Sequence, residues 1–405
     1  MKKAHHLLIL TALVFGLARA TPPPFSDEKN PRKKFGSSLK TLKWDAQERR
    51  AVDREDGPLE IRKGDGESQS VDEIKLETPL VTFDVTVLDR STSRVVAGLR
   101  KEDFVFIEKG SRQPVVTFAT GNESSGPRAI IIVIDYSPSV SAYFDVSIKA
   151  ARNLIERLPS KDSISIVTDD VQLLSGPTSD KMAAIEALDG LRIRFRDHHR
   201  GQSRQYSALF AALRELVTSG HERTIIVFQT DGDEVAKLRD SARAGAYGAS
   251  PEFGFRDVET AAEKAGVTIY GLVPGERIVG VPYAELRKIA ERAKSRAREV
   301  DRNLPLEDNW IDLILPGQTA TEHIVALTGG TTWYLTQPNQ AEGITSEILD
   351  EINRRYFLGY FPGALAADGQ RHQVEIQIRD HPDYSVRGQL TYYAPTPRSA
   401  PSIKR

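Results

Sequence analysis

Two short apolar runs constrain this chain more than any other feature. Residues 129–134 read AIIIVI and stop at Asp135; residues 224–230 read TIIVFQT and stop at Asp231. β-Branched runs of this length, bounded by turn residues, are strands buried on both faces, as in a parallel sheet covered by helices. A helix follows the first run, because Phe144, Ile148, Ala151, Ile155 and Leu158 recur at three- and four-residue spacing and line one face. Each aspartate therefore sits at the carboxyl end of a strand, where open α/β sheets bind ligands.

In the first turn Asp135, Ser137 and Ser139 occupy alternate positions, so three oxygen-bearing side chains can converge above the strand. Carboxylate and hydroxyl oxygens suit a hard divalent cation such as Mg²⁺. Asp-x-Ser-x-Ser alone is ordinary loop composition, and context has to support it. The second strand supplies that context by ending in Asp231-Gly232-Asp233. Between the two strands Ser207 opens the amphipathic run SALFAAL.

With these three loops the sequence resembles the von Willebrand factor A family, most of all its bacterial secreted subgroup. The resemblance covers roughly residues 128–356. It implies a metal-ion-dependent adhesion site made of Asp135, Ser137, Ser139, Ser207 and Asp231. Ser207 stands where the family usually has threonine; serine keeps the hydroxyl but loses the methyl that restricts its rotamer. Mg²⁺, or Mn²⁺ in its place, is the implied cofactor. An open coordination position would then capture an acidic residue of a protein partner.

The βα alternation continues along the chain. Strands are expected at 163–168, 267–273 and 331–335, with a short antiparallel edge at 171–174. Helices are expected around Met182 to Leu188, closed by Gly190, around Leu209 to Leu216, closed by Gly220, and over 343–355. Two segments read as insertions. Residues 192–204 carry Arg192, Arg194, Arg196, Arg200 and Arg204, and 283–310 form a charged helix followed by a loop. Charge runs are usually solvated surface; beside a cation the arginines would instead focus positive potential.

Both flanks alternate with the two-residue period of half-buried strands: Val81, Phe83, Val85 and Val87 on one side, Val374, Ile376 and Ile378 on the other. A strand at 104–108 turns at Lys109-Gly110 and returns over 115–118. So few strands are marginal alone, and pairing the flanks closes one sandwich. The expected fold is α/β, a doubly wound, mostly parallel sheet (125–355) inserted in or flanked by a small antiparallel β-sandwich (78–120 and 356–395), with a flexible tail (396–405).

Residues 1–20 read as a signal peptide cleaved after Ala20, with basic Lys2 and Lys3, an apolar core too short to span a bilayer, and Ala18-Arg19-Ala20. Residues 21–77 are polar and charged and are expected to be a disordered leader. Losing Lys2, Lys3 and Arg19 takes the formal charge from −1 to −4, which points away from nucleic acid. The chain has no cysteine, hence no disulfides and no zinc–thiolate site. No later run is long enough to span a membrane. A secreted or periplasmic bacterial protein is expected.

Three function classes follow. The first is a non-enzymatic, cation-dependent adhesion protein. The second is a metal-independent interaction scaffold. The third is a phosphohydrolase, which is disfavoured because a strand-end aspartate nucleophile needs a second acid two residues on and Ser137 stands there. There is no G-x-S-x-G elbow or H-E-x-x-H pair.

Overall fold

The structure is a computed structural model that describes residues 34–53, 80–121, 126–217, 223–247, 251–300, 310–337, 339–362 and 368–394. The expected signal peptide and tail lie outside these residues, as do 21–33 and 54–77 of the leader. The chain begins with α1 (Ser37–Lys40) and a hairpin of β1 (Leu42–Asp45) and β2 (Arg50–Asp53). There follow β3 (Val81–Asp89), β4 (Phe104–Glu108), β5 (Ser111–Gln113) and β6 (Thr117–Thr120). The central part holds β7 (Arg128–Ile134), α2 (Phe144–Arg157), β8 (Ser163–Thr168), β9 (Gln172–Thr178), α3 (Lys181–Arg196) and α4 (Gln205–Glu215). It continues with β10 (Arg223–Gln229), α5 (Phe255–Ala265), β11 (Thr268–Pro274), α6 (Tyr283–Val300), α7 (Trp310–Leu327), β12 (Thr332–Leu335) and α8 (Gln340–Arg354). The last strands are β13 (Tyr356–Tyr360), β14 (Arg371–Ile378), β15 (Tyr384–Gly388) and β16 (Thr391–Tyr393).

The central sheet has the order β12-β11-β10-β7-β8-β9, parallel except for β9 at one edge. Its middle strands explain why the sequence shows continuous apolar runs. Ile130, Ile132 and Ile134 of β7 face α2, α3 and α8, while Ile131 and Val133 face α4, α5 and α7. Each residue of such a strand needs an apolar side chain whichever face it takes. β7 and β10 pair in register, Ile134 opposite Gln229, so Asp135 and the loop beginning at Thr230 leave the sheet side by side.

The flanks form two four-stranded antiparallel sheets, β15-β3-β13-β6 and β16-β14-β4-β5. Each mixes strands from before and after the α/β part: Leu358 pairs with Phe83, and Ile376 with Phe106. Phe83, Phe106, Tyr360 and Ile376 share one core, with the Phe83 and Phe106 rings 5.6 Å apart. The α/β sheet and antiparallel sandwich expected from the sequence are thus both present.

The sandwich is fastened at the end of the central sheet where β10 begins, opposite the end where Asp135 and Asp231 leave it. Asp84 of β3 takes Arg223 at the start of β10 (2.7 Å) and Arg355 between α8 and β13 (2.9 Å). Gly329 (φ +76°) packs so closely that a Cβ there would lie 2.3 Å from Gly388 Cα, which leaves room for glycine alone.

Several expectations are corrected. The leader is not uniformly unstructured, since residues 35–53 lie against α4 and α5. Leu39, Leu42 and Ala51 join the core, and the amides of Gly36 and Ser38 donate to Glu215 (3.0 and 2.9 Å). Asp53 pairs with buried Arg214 at 2.7 Å, and the Ala51 amide donates to Asp257. Polar composition does not preclude order here, because a few apolar residues reach the core while the polar ones find partners far along the chain. Leu42 is fully buried, and Leu42→Ala is expected to cost about 2–5 kcal/mol in urea unfolding; a change below about 0.5 kcal/mol, the range of ordinary surface substitutions, would mean that the hairpin does not dock.

Gly190 does not end its helix; α3 runs on to Arg196 because Leu191 is needed in the core. The return strand after the turn is 111–113 rather than 115–118. Lys109 and Gly110 both have positive φ (48° and 78°), the conformation of a two-residue hairpin turn, so pairing resumes at once. The chain then crosses over, and β6 joins the other sheet beside β13. The loop expected up to residue 310 is followed by an unforeseen helix, α7, with Pro316 inside it.

Candidate functional site

The site is built where β7 and β10 end. The Asp135 amide donates to the Gln229 carbonyl (3.0 Å), which locks the two exits together. Asp135 Oδ1 then accepts from the Ser137 amide (2.9 Å), turning the chain sharply into a 3₁₀ turn that starts with Pro138. Ser137 Oγ and Ser139 Oγ lie 3.1 Å apart. Asp135, Ser137 and Asp231 are buried, whereas Pro138 and Ser139 are exposed, so the cluster opens to solvent on that side. Gly232 (φ +74°) lets the second loop press on α7, where a Cβ would meet the Gly317 carbonyl at 2.6 Å.

Asp135, Ser137, Ser139 and Asp231 lie together where β7 and β10 end, whereas Ser207 is engaged by the 230–234 loop. Its amide and hydroxyl both donate to the buried Glu234 carboxylate. The space between the carboxylates is taken by Gln205, the first residue of α4. Its Nε2 donates to Asp135 Oδ2 and Asp233 Oδ1 (2.8 Å each) and stands 3.4 Å from Asp231 Oδ1. Thr230 Oγ1 adds a bond to Asp135 (3.3 Å).

Asp169 lies beneath the first loop and accepts from the amides of Tyr136 (3.1 Å) and Ser203 (2.8 Å). It thereby ties the 197–204 segment to the Asp-x-Ser-x-Ser turn; a Cβ on Gly201 would lie 1.9 Å from Asp169. The arginines expected to form a free basic loop are divided. Arg192, Arg194 and Arg196 belong to α3. Arg192 approaches Asp145 (3.6 Å), and Arg194 bonds the Tyr136 hydroxyl (3.0 Å) and approaches Asp170 (3.5 Å). Arg200 stacks on Phe195 and donates to its carbonyl (2.7 Å). Arg196 and Arg204 are exposed.

This concentration of acid is electrostatically strained. Burial raises the pKa of Asp135, and raises Asp231 well above the carboxylate range with help from the Asp233 and Asp135 charges. Burial likewise pushes Asp233 up to about 6, Glu234 to about 7 and Asp169 to about 8, with the Asp135 charge adding to the first and last. Asp231 Oδ2 is buried and accepts no hydrogen bond among the described residues. Such a group calls for a proton or a cation. Two carboxylates and two hydroxyls with one orphaned oxygen fit a hard divalent ion. No group of three or more His, Cys, Asp or Glu with metal-ligating arrangement occurs among the described residues, so any ion would depend on the hydroxyls.

Sequence reasoning missed Gln205, Thr230, Glu234 and Asp169. The acidic run 231–234 was a visible signal for Glu234, but nothing local marks a glutamine at a helix start as facing three carboxylates.

Residues 130–234 match the family described as von Willebrand factor type A domain. No curated protein matches the chain. Among solved structures, BatB from Bacteroides thetaiotaomicron is 15% identical with a TM-score of 0.37, over 56% of this chain and 98% of that one. A von Willebrand factor type A protein from Catenulispora acidiphila is 12% identical with a TM-score of 0.36, over 80% and 76%. Manganese-loaded TRAP from Plasmodium vivax is 12% identical with a TM-score of 0.32, over 69% and 98%. These are distant likenesses.

Proposed function

We propose that the von Willebrand factor type A segment of this chain makes it a non-enzymatic adhesion protein, which captures an acidic residue of a protein partner through a bound divalent cation. The observation that carries this reading is the orphaned, buried Asp231 Oδ2 beside Asp135, Ser137 and Ser139, in a cluster that opens to solvent. These four residues would hold Mg²⁺ or Mn²⁺, and the ion would supply the charge that binds a carboxylate. Ser207 serves instead to anchor Glu234. The exposed Arg196 and Arg204 would draw acidic partners by long-range attraction, which acts mainly on association. The adhesion unit is taken as 125–355 and its sandwich as 78–120 with 356–395. We place the protein outside the cytoplasm on the strength of the signal-peptide pattern at 1–20, and no helix among the described residues is long and apolar enough to cross a membrane.

Calorimetry of chelator-stripped protein with Mg²⁺ is expected to show one site that Asp135→Ala abolishes, since Asp135 meets both the serine turn and the Asp231 loop. Unaltered binding in the variant would remove the assignment. One observation favours the metal-independent scaffold instead: the Gln205 amide already satisfies part of the carboxylate cluster without an ion.

A further inference from the structure

The Gln205 side chain lies where the carboxylates converge, and its orientation is dictated by its neighbours. Oε1 accepts from the Glu234 amide (3.2 Å), which only the carbonyl end can do. Reversing the amide would set that oxygen against Asp135 and Asp233. The Nε2 group has two hydrogens, and its two 2.8 Å bonds use both. The weaker 3.4 Å approach to Asp231 Oδ1 leaves that carboxyl the least satisfied, in keeping with the bare Oδ2. Gln205 is itself fully buried, so its amide cannot turn to water without leaving the cluster.

Mg²⁺ bonds oxygen at about 2.0–2.1 Å. An ion shared by Asp135 and Asp231 would need the ground between them that Nε2 now fills. The amide NH₂ carries a partial positive charge and donates to two of the carboxylates, Asp135 and Asp233. It is a neutral, weaker stand-in.

Resting on the cation-site reading above, we propose that Gln205 is a built-in competitor of the cation, a latch that fills the site when metal is scarce and must swing out for metal, and hence the partner, to bind. Its presence sets the metal concentration at which adhesion begins, because apparent affinity falls by the fraction of molecules with the site free. The latch also joins two loops, since its carbonyl holds the amide of Glu234, whose carboxylate holds Ser207 on α4. Expelling the amide therefore loosens the contact between the start of α4 and the 230–234 loop.

The test compares wild type, Gln205→Ala and Gln205→Lys, each stripped with chelator. Calorimetry with Mg²⁺ and with Mn²⁺ measures affinity, and thermal melting in chelator measures the metal-free state. Gln205→Ala is expected to bind at least about tenfold more tightly, because charge-assisted bonds to the amide no longer compete, and to melt lower than wild type in chelator. Gln205→Lys places a permanent cation in the cluster and is expected to lose the Mg²⁺ response while melting at or above wild type. Equal or weaker binding by Gln205→Ala overturns the latch and makes the glutamine at most a ligand, leaving the cation site intact. Binding by neither wild type nor Gln205→Ala overturns the cation site and the latch together. Should Gln205→Ala fail to fold even with Mg²⁺, wild-type affinity in Gln205→Lys overturns the latch, and its loss with full melting stability supports it.

Discussion

Replacing Arg355 with methionine is expected to destabilise the protein by about 3–5 kcal/mol, the usual consequence of stranding one partner of a buried ion pair. Arg355 has no exposed surface. Its guanidinium bonds the Asp84 carboxylate (2.9 Å) and carbonyl, Thr86 Oγ1 (3.2 Å) and the Gly329 carbonyl (2.9 Å), and approaches Glu351 (3.6 Å). It therefore joins the sandwich, the end of α8 and the turn before β12. Burial alone would raise the pKa of Asp84, but Arg223 and Arg355 together outweigh it and hold the carboxyl below its ordinary range. A depressed carboxyl contributes stability that is present above the unfolded pKa and lost as pH falls through the folded one. The variant should accordingly unfold at a less acidic pH than wild type, as well as at lower urea. Coincident urea and acid midpoints for the two proteins would show that the junction contributes nothing.

The metal-free protein is expected to lose stability as pH rises from about 4 to 8, with its melting temperature falling by about 10 °C. Asp233, Glu234 and Asp169 titrate near 6, 7 and 8 in the folded chain, and Asp135 and Asp231 are also raised. The folded state then holds more protons than the unfolded state throughout this window. By linkage, a raised carboxyl contributes stability below its unfolded pKa and loses it through the folded one. A loss of about 1 kcal/mol moves the midpoint of a domain of 150–250 residues by about 2–4 °C, so a few such losses suffice. Mg²⁺ should reverse most of the fall, and should raise the melting temperature more at pH 8 than at pH 5, because it binds the ionised cluster. Scanning calorimetry in chelator and in Mg²⁺ at both pH values checks this. A melting temperature that rises toward pH 8 in chelator would contradict the burial of these acids.

Much of this architecture is legible in the residues, and the exceptions have physical reasons. The strands at 163–168 and around 224–230 announce themselves because burial on both faces demands continuous apolar side chains. The sandwich is visible through the alternation at Val81 to Val87 and Val374 to Ile378. The docked hairpin at 35–53 is not, because its apolar anchors are few, Leu39, Leu42 and Ala51 with half-buried Phe35, and polar partners such as Glu215, Arg214 and Asp257 lie far along the chain. α7 is obscured by Pro316, a residue that normally argues against a helix interior. At the site, alternation marks Asp135, Ser137 and Ser139. The position of Ser207 depended on which residue of α4 faces the loop, and the helix begins early enough to present Gln205 instead.

Because β3 meets β13 only after the whole α/β part has been made, the sandwich is also a statement about the order of folding. Asp84 and Arg355 are 271 residues apart. Closing so long a loop costs only slightly more entropy than closing a short one, since the penalty grows with the logarithm of length. In time the difference is greater: nonlocal pairings form slowly. In a chain made from its amino end, β3, β4, β5 and β6 exist well before their partners. The α/β part can condense first, bringing Arg128 beside Asn353 (3.1 Å) and setting the two halves of the sandwich to meet. Until then Phe83, Val85 and Phe106 are bare strand faces, the kind of surface that chaperones hold. Closure of the sandwich is thus the natural last step of assembly.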